Sequence, residues 1–113
     1  MNNNLLILGN GRLELAVKEI AEEMNCFAKI DFLSDESESA IGKLSDYEKF
    51  SADYKYAYPA FENPEERINW IQRLEQSCYK VAVLVHPKAY VAHTAQLRKG
   101  VLIEPMAVIK SNA

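Results

Sequence analysis

From Val91 to Ala113 the chain repeats every six residues. Val91, Leu97, Ile103 and Ile109 mark one register, and Ala95, Val101, Ala107 and Ala113 mark a second, four residues further on each time. A period of six fits neither the 3.6 of a helix nor the 2 of a lone strand, so the segment reads as a structural repeat. Its physical form is the left-handed parallel β-helix. Each six-residue unit makes one short flat face, an aliphatic residue points inward, a small residue sits at the turn, and three faces close a triangular coil. The segment has room for one full coil and the start of another. Repeat architectures need several units and caps to bury their end faces, so the chain reads as the front end of something longer.

The rest of the chain sets the other limits. Its 113 residues, 49% of them apolar, suit one globular domain with a real core plus an appendage. The formal charge of −3 and the lack of any basic run beyond Arg98-Lys99 argue against nucleic acid as a partner. No apolar run reaches the ~18 residues of a membrane span. Met1 to Asn4 carry no positive region and lead directly into a strand-like run, so the start does not read as a signal peptide. Cys26 and Cys78 lack metal-type spacing and read as two reduced thiols at element ends in a cytoplasmic protein, a Cys26–Cys78 disulfide being the alternative.

Leu5 to Leu8 is wholly apolar and ends at Gly9-Asn10-Gly11, as a buried parallel strand does. A helix follows, with Leu13, Val17, Ile20, Ala21 and Met24 on one face and Asn25 as its stop. Residues 28–33 alternate as a second strand and close on the acidic group Asp35, Glu36 and Glu38, which completes a βαβ unit with a right-handed crossover. Ser45 and Glu48 form a capping-box pattern for a short helix, and Tyr54 to Phe61 is a third strand. Asn63-Pro64-Glu65-Glu66 starts a longer helix, with Ile68, Ile71, Leu74 and Cys78 as its buried stripe and Trp70 on the flank. Val81 to Val85 reads as a fourth strand, ended by His86-Pro87. The expected fold class is α/β: a Rossmann-like four-stranded parallel sheet over residues 1–86, then the β-helix start over 87–113.

Two places carry chemistry. The turn Gly9-Asn10-Gly11-Arg12 precedes a helix, where backbone N–H groups can hold a phosphate and glycine permits its close approach. The dinucleotide fingerprint fails at its third glycine, where Glu14 stands, which counts against an NAD-binding oxidoreductase. The competing reading is a tight βα turn that needs glycine for steric reasons alone. Asp35 ends the second strand about two dozen residues later, beside that turn, where a carboxylate can accept from a ribose or a base or stay a solvated loop residue. His86 reads as a hinge residue with backbone hydrogen bonds and His93 as a solvated rung residue. No catalytic residue and no metal site is expected in this chain.

The order of these elements resembles the N-terminal part of the bacterial sialic acid O-acetyltransferase family, whose relatives include the acetyltransferase acting on UDP-4-amino sugars in the bacillosamine pathway. The resemblance rests on Leu6-Ile7-Leu8-Gly9-Asn10-Gly11, Phe32-Leu33-Ser34-Asp35, Asn63-Pro64-Glu65-Glu66-Arg67-Ile68 and Val85-His86-Pro87-Lys88-Ala89-Tyr90-Val91. It implies a nucleotide-sugar-binding unit, UDP-linked for preference, with Gly9, Asn10, Gly11 and Arg12 in the sugar-nucleotide loop and Asp35 contacting the nucleoside. It implies acetyl-CoA as the co-substrate of the complete enzyme, bound between β-helix coils of a homotrimer and not by this chain, with a catalytic histidine on later coils. The chain alone is then inactive, and a monomer or weak oligomer. Where the family has a further glycine and a histidine, this chain has Arg12-Leu13; where it has Ile-Gly-Asn after the third strand, this chain has Pro59-Ala60-Phe61. The alternative is a Rossmann-like remnant or interaction module that has lost its ligand.

Overall fold

Leu5, Leu6, Ile7 and Leu8 have no exposed surface, which makes their strand the centre of the molecule. The computed structural model describes residues 3–88, 90–91, 102–103 and 108–109. Strand β1 (Asn4–Gly9) runs parallel to β2 (Lys29–Ser34) on one side and to β3 (Tyr56–Ala60) on the other, and β4 (Lys80–Val81) pairs with β3. The order is β2-β1-β3-β4, the four-stranded parallel α/β sheet expected from the sequence. The chain leaves β1 in one direction and returns for β3 on the other side, so a topological switch point lies at the carboxyl end of β1.

Alternation along β1 sends Leu5 and Ile7 to one face and Leu6 and Leu8 to the other, where each meets a separate cluster. The first face packs on helix α1 (Glu14–Met24) through Val17, Ile20 and Ala21. Asn25 ends α1 in the left-handed conformation, φ 55°, with its N–H donated to the Glu22 carbonyl. The second face packs on helix α2 (Pro64–Gln76) and on a 3-10 helix at Leu44–Phe50. Asn63 Oδ1 accepts from the Glu66 N–H at 3.0 Å with Pro64 in the first turn, as read from the sequence.

Three local expectations are corrected. The Ser45/Glu48 capping box does not form; the Asp46 carboxylate instead accepts from the Lys43 N–H at 3.0 Å, because the short helix is 3-10 and starts at Leu44. That bond, with Lys49 3.1 Å away, holds the Asp46 carboxyl below its usual range. The buried residues of α2 are Trp70 and Leu74, while Ile68 is 54% exposed and Cys78 lies outside the helix, exposed at φ 72°. Cys78 is the left-handed residue of a helix-ending turn in which its N–H reaches the Glu75 carbonyl and the Tyr79 N–H reaches Leu74.

The third correction concerns Val81 to Val85, which is not one strand. The Ala82 N–H still donates to the Ala57 carbonyl at 2.9 Å, but the chain then leaves the sheet. Strand β5 (Leu84–Val85) pairs in parallel with β7 (Leu102–Ile103), and β6 (Tyr90–Val91) with β8 (Val108–Ile109). Leu84 faces Leu102 and Tyr90 faces Val108, a spacing of eighteen residues in both pairs. Of the repeat residues, Val91, Ile103 and Ile109 fall in these strands; Ala95, Leu97, Val101, Ala107 and Ala113, and His93, lie outside the described residues.

Candidate functional site at the carboxyl edge of the sheet

Gly9 lies opposite Ser34 on one side and Ala60 on the other, so the segments that follow β1, β2 and β3 emerge level at one edge. The sequence-predicted residues Gly9, Asn10, Gly11, Arg12 and Asp35 all sit at that edge. Gly11 has φ +92°, in the left-handed region that glycine tolerates. A Cβ on Gly11 would stand 3.6 Å from Glu36 Oε2, which places the acidic loop against the turn. Arg12 is exposed. Asn10 is half-buried, and its Oδ1, wholly enclosed, has no hydrogen-bond partner.

Glu14 is the residue at this edge that sequence reasoning did not place in the site. Its side chain is 4% exposed and turns back over the glycine turn, where Oε1 accepts from the Gly11 N–H at 2.9 Å. A Cβ on Gly9 would fall 1.5 Å from that same oxygen. A Cβ at position 9 would therefore have to displace the Glu14 side chain. The one available signal was the failed third glycine of the fingerprint, which marks where the side chain has to go.

The Asp35 loop is held from within. Ser34, buried, accepts through Oγ from the Glu36 and Ser37 N–H groups at 3.2 Å each. Asp35 Oδ1 accepts from the Leu44 N–H at 3.1 Å, and its carboxylate is otherwise exposed at the edge. The 3-10 helix thus depends on the same residue that the resemblance assigns to the nucleoside. After β3, the Phe61 N–H turns back to the Pro59 carbonyl at 3.1 Å, and the Phe61 ring stacks on Trp70 at 6.0 Å, closing that side with buried aromatic surface.

His86 lies away from this edge, where the chain passes from the sheet to β6. Its Nδ1 accepts from the Lys88 N–H at 3.0 Å, so the other ring nitrogen, Nε2, carries the proton and donates it to the Glu23 carboxylate of α1. Both nitrogens are engaged and the residue is 6% exposed. Among the described residues, cavities lie at the opposite, amino edge of the strands. One of about 620 Å³ is lined by Asn4, Lys29, Asp31, Asp53 and Tyr54, and one of about 420 Å³ by Met24, Cys26, Phe27, Tyr56 and Lys80. Among the described residues, no cluster of three or more His, Cys, Asp or Glu could hold a metal ion, and no helix is long and apolar enough to cross a membrane.

Solved structures similar to this one include the acetyltransferase domain of PglB from Neisseria gonorrhoeae, with a TM-score of 0.86 and 24% identity over 95% of this chain. The same domain has a structure in complex with acetyl coenzyme A, with a TM-score of 0.87. PerB from Caulobacter crescentus, in complex with CoA and GDP-perosamine, is similar over 96% of this chain with a TM-score of 0.85 and 14% identity. The chain spans a little over half of these structures, 56% of the first and 55% of the last. No protein-family model and no curated protein sequence matches the chain.

Proposed function

We propose that this chain is the front part of an acetyl-CoA-dependent sugar O- or N-acetyltransferase, with residues 1–86 binding a nucleotide sugar and residues 87–113 beginning a left-handed β-helix. The observation that carries the reading is the similarity to acetyltransferase structures, among them a perosamine N-acetyltransferase matched over 96% of the chain at a TM-score of 0.87. The eighteen-residue spacing of both short parallel pairs supports the β-helix, since a coil of three six-residue faces stacks each residue on the one eighteen further along.

In this reading the nucleotide sugar lies across the carboxyl edge of the sheet, with its diphosphate at Gly9 to Arg12 and its nucleoside at Asp35. The sugar's amine or hydroxyl attacks the thioester carbonyl of acetyl-CoA. A new N–C or O–C bond forms, the C–S bond breaks, and the thiol of CoA leaves with the proton that a general base has taken from the nucleophile. The resemblance puts that base on a histidine of later coils, and His86 has both ring nitrogens committed to Glu23 and Lys88. This chain binds and orients the nucleotide sugar, and the complete enzyme works as a homotrimer. UDP is the expected nucleotide, and GDP is the comparison, PerB being the neighbour seen with GDP-perosamine.

Calorimetry with UDP, GDP and their sugar conjugates tests this. Binding of a nucleotide that Asp35→Asn weakens, in a protein whose fold is unchanged by circular dichroism, supports the reading. Silence across all of them favours an interaction module without a ligand, which the occupation of the glycine turn by Glu14 would then explain. Acetyl transfer by these 113 residues alone would overturn the division of labour.

A further inference from the structure

We infer that Glu14 is a tethered carboxylate that occupies the diphosphate position of the Gly9–Arg12 turn and sets how tightly this chain takes a nucleoside diphosphate. The inference rests on the proposed nucleotide-sugar site and adds a competitor built into it. The turn already holds an anionic group. Glu14 Oε1 accepts from the Gly11 N–H at 2.9 Å, and it stands where even a single carbon on Gly9 would come within 1.5 Å. Glycine at position 9 leaves backbone open for close approach, and the group that makes the approach is this chain's own side chain.

A diphosphate oxygen and a carboxylate oxygen seek the same donor at the same place, so the two exclude each other in volume and in hydrogen bonding. The surroundings add to the conflict. Glu36 lies against Gly11, Asp35 is one residue away from it, and Arg12 is the only cation within the turn itself. A nucleoside diphosphate therefore binds only when Glu14 is displaced from Gly11, and that displacement is subtracted from its affinity. Glu14 is a specificity-determining residue in this sense: it weakens ligands that use the turn through phosphate and leaves ligands that use only Asp35 untouched.

The experiment is calorimetry of the full chain and its variants with UDP, with uridine as the phosphate-free probe. Glu14→Ala, which empties the space over Gly9, binds UDP at least about tenfold tighter than the wild type, about 1.4 kcal/mol, and leaves uridine affinity unchanged. Glu14→Gln keeps the bulk and the acceptor and stays within about threefold of the wild type. Glu14→Asp, whose shorter carboxylate cannot reach Gly11 in the same way, is the second opening variant should Glu14→Ala fold poorly. Wild-type UDP binding that neither opening variant improves overturns the inference and leaves the nucleotide-sugar site standing. A gain in Glu14→Gln as large as in Glu14→Ala overturns the claim that occupied space is the obstacle. UDP binding absent from the wild type and from both opening variants overturns the site and the inference together.

Discussion

Asp35 accepts a hydrogen bond from the backbone N–H of Leu44 at 3.1 Å, and so joins the end of β2 to the first residue of the 3-10 helix. The contact bridges nine positions of sequence at the edge where a ligand is expected. Asp35→Ala leaves the Leu44 N–H to solvent and costs about 1 kcal/mol of folding stability, the usual net worth of one such bond. Asp35→Asn retains an oxygen acceptor and costs less than half as much. Urea denaturation of both variants checks this; equal losses would show that the charge matters and the bond does not.

Gly9 and Glu14 are coupled by contact, since the carboxylate over the turn leaves no room for a Cβ at position 9. Gly9→Ala must expel Glu14 and break its bond to Gly11, at about 1–3 kcal/mol. In a Glu14→Ala background the same substitution no longer meets the Glu14 carboxylate and costs less. The double-mutant cycle should therefore return a coupling of about 1–2 kcal/mol. Additivity would mean that Glu14 does not occupy the turn in solution.

On α2, Trp70 is 8% exposed, stacked on Phe61 and edge-on to Tyr47 at 5.2 Å, whereas Ile68 is 54% exposed. Trp70→Ala is expected to cost about 3–5 kcal/mol, and Ile68→Ala to stay within about 0.5 kcal/mol. Thermal or urea unfolding of the two variants decides between this face and the Ile68–Ile71–Leu74–Cys78 stripe, which would reverse the ranking.

The burial of Trp70 in place of Ile68 shows which parts of the fold could be read from the residues. The apolar run Leu5 to Leu8, the Asn63-Pro64 helix start and the Asn25 stop state local physics, and all three stand in the structure. The face of α2 does not follow locally. A 3.6-residue period fits either stripe, and the partners that choose Trp70 are Phe61 and Tyr47, from other parts of the chain. Val81 to Val85 was ambiguous for a similar reason, since an apolar run does not say which neighbour it pairs with, and here the partner changes between Ala82 and Leu84. At the site, the glycines and Asp35 were visible as residue types. The inward fold of Glu14 was not, because a charged side chain in a first helical turn ordinarily points to solvent.

Tyr54 and Tyr79 give the protein an alkaline limit. Burial pushes both phenols well above the ordinary 10.0, and Tyr54 is raised further by donating its proton to the Asp31 carboxylate. Tyr58 is also raised by burial, with Arg67 opposing. The folded chain thus keeps phenolic protons that the unfolded chain releases above about pH 10. Proton binding is then greater in the native state, so stability falls as pH rises. The contribution is complete below the unfolded value and is lost as pH climbs toward the folded one, at up to about 1.4 kcal/mol per pH unit for each tyrosine. The urea midpoint should be flat near neutrality and drop above about pH 10, with a phenolate absorbance rise that accompanies unfolding. Tyr54→Phe with Tyr79→Phe lowers stability at neutral pH, because the bonds to Asp31 and to the Tyr47 carbonyl are lost, yet it flattens the alkaline drop. A wild-type midpoint that holds steady through this range, or phenolates that form while the fold is intact, would show that these hydroxyls are open to solvent.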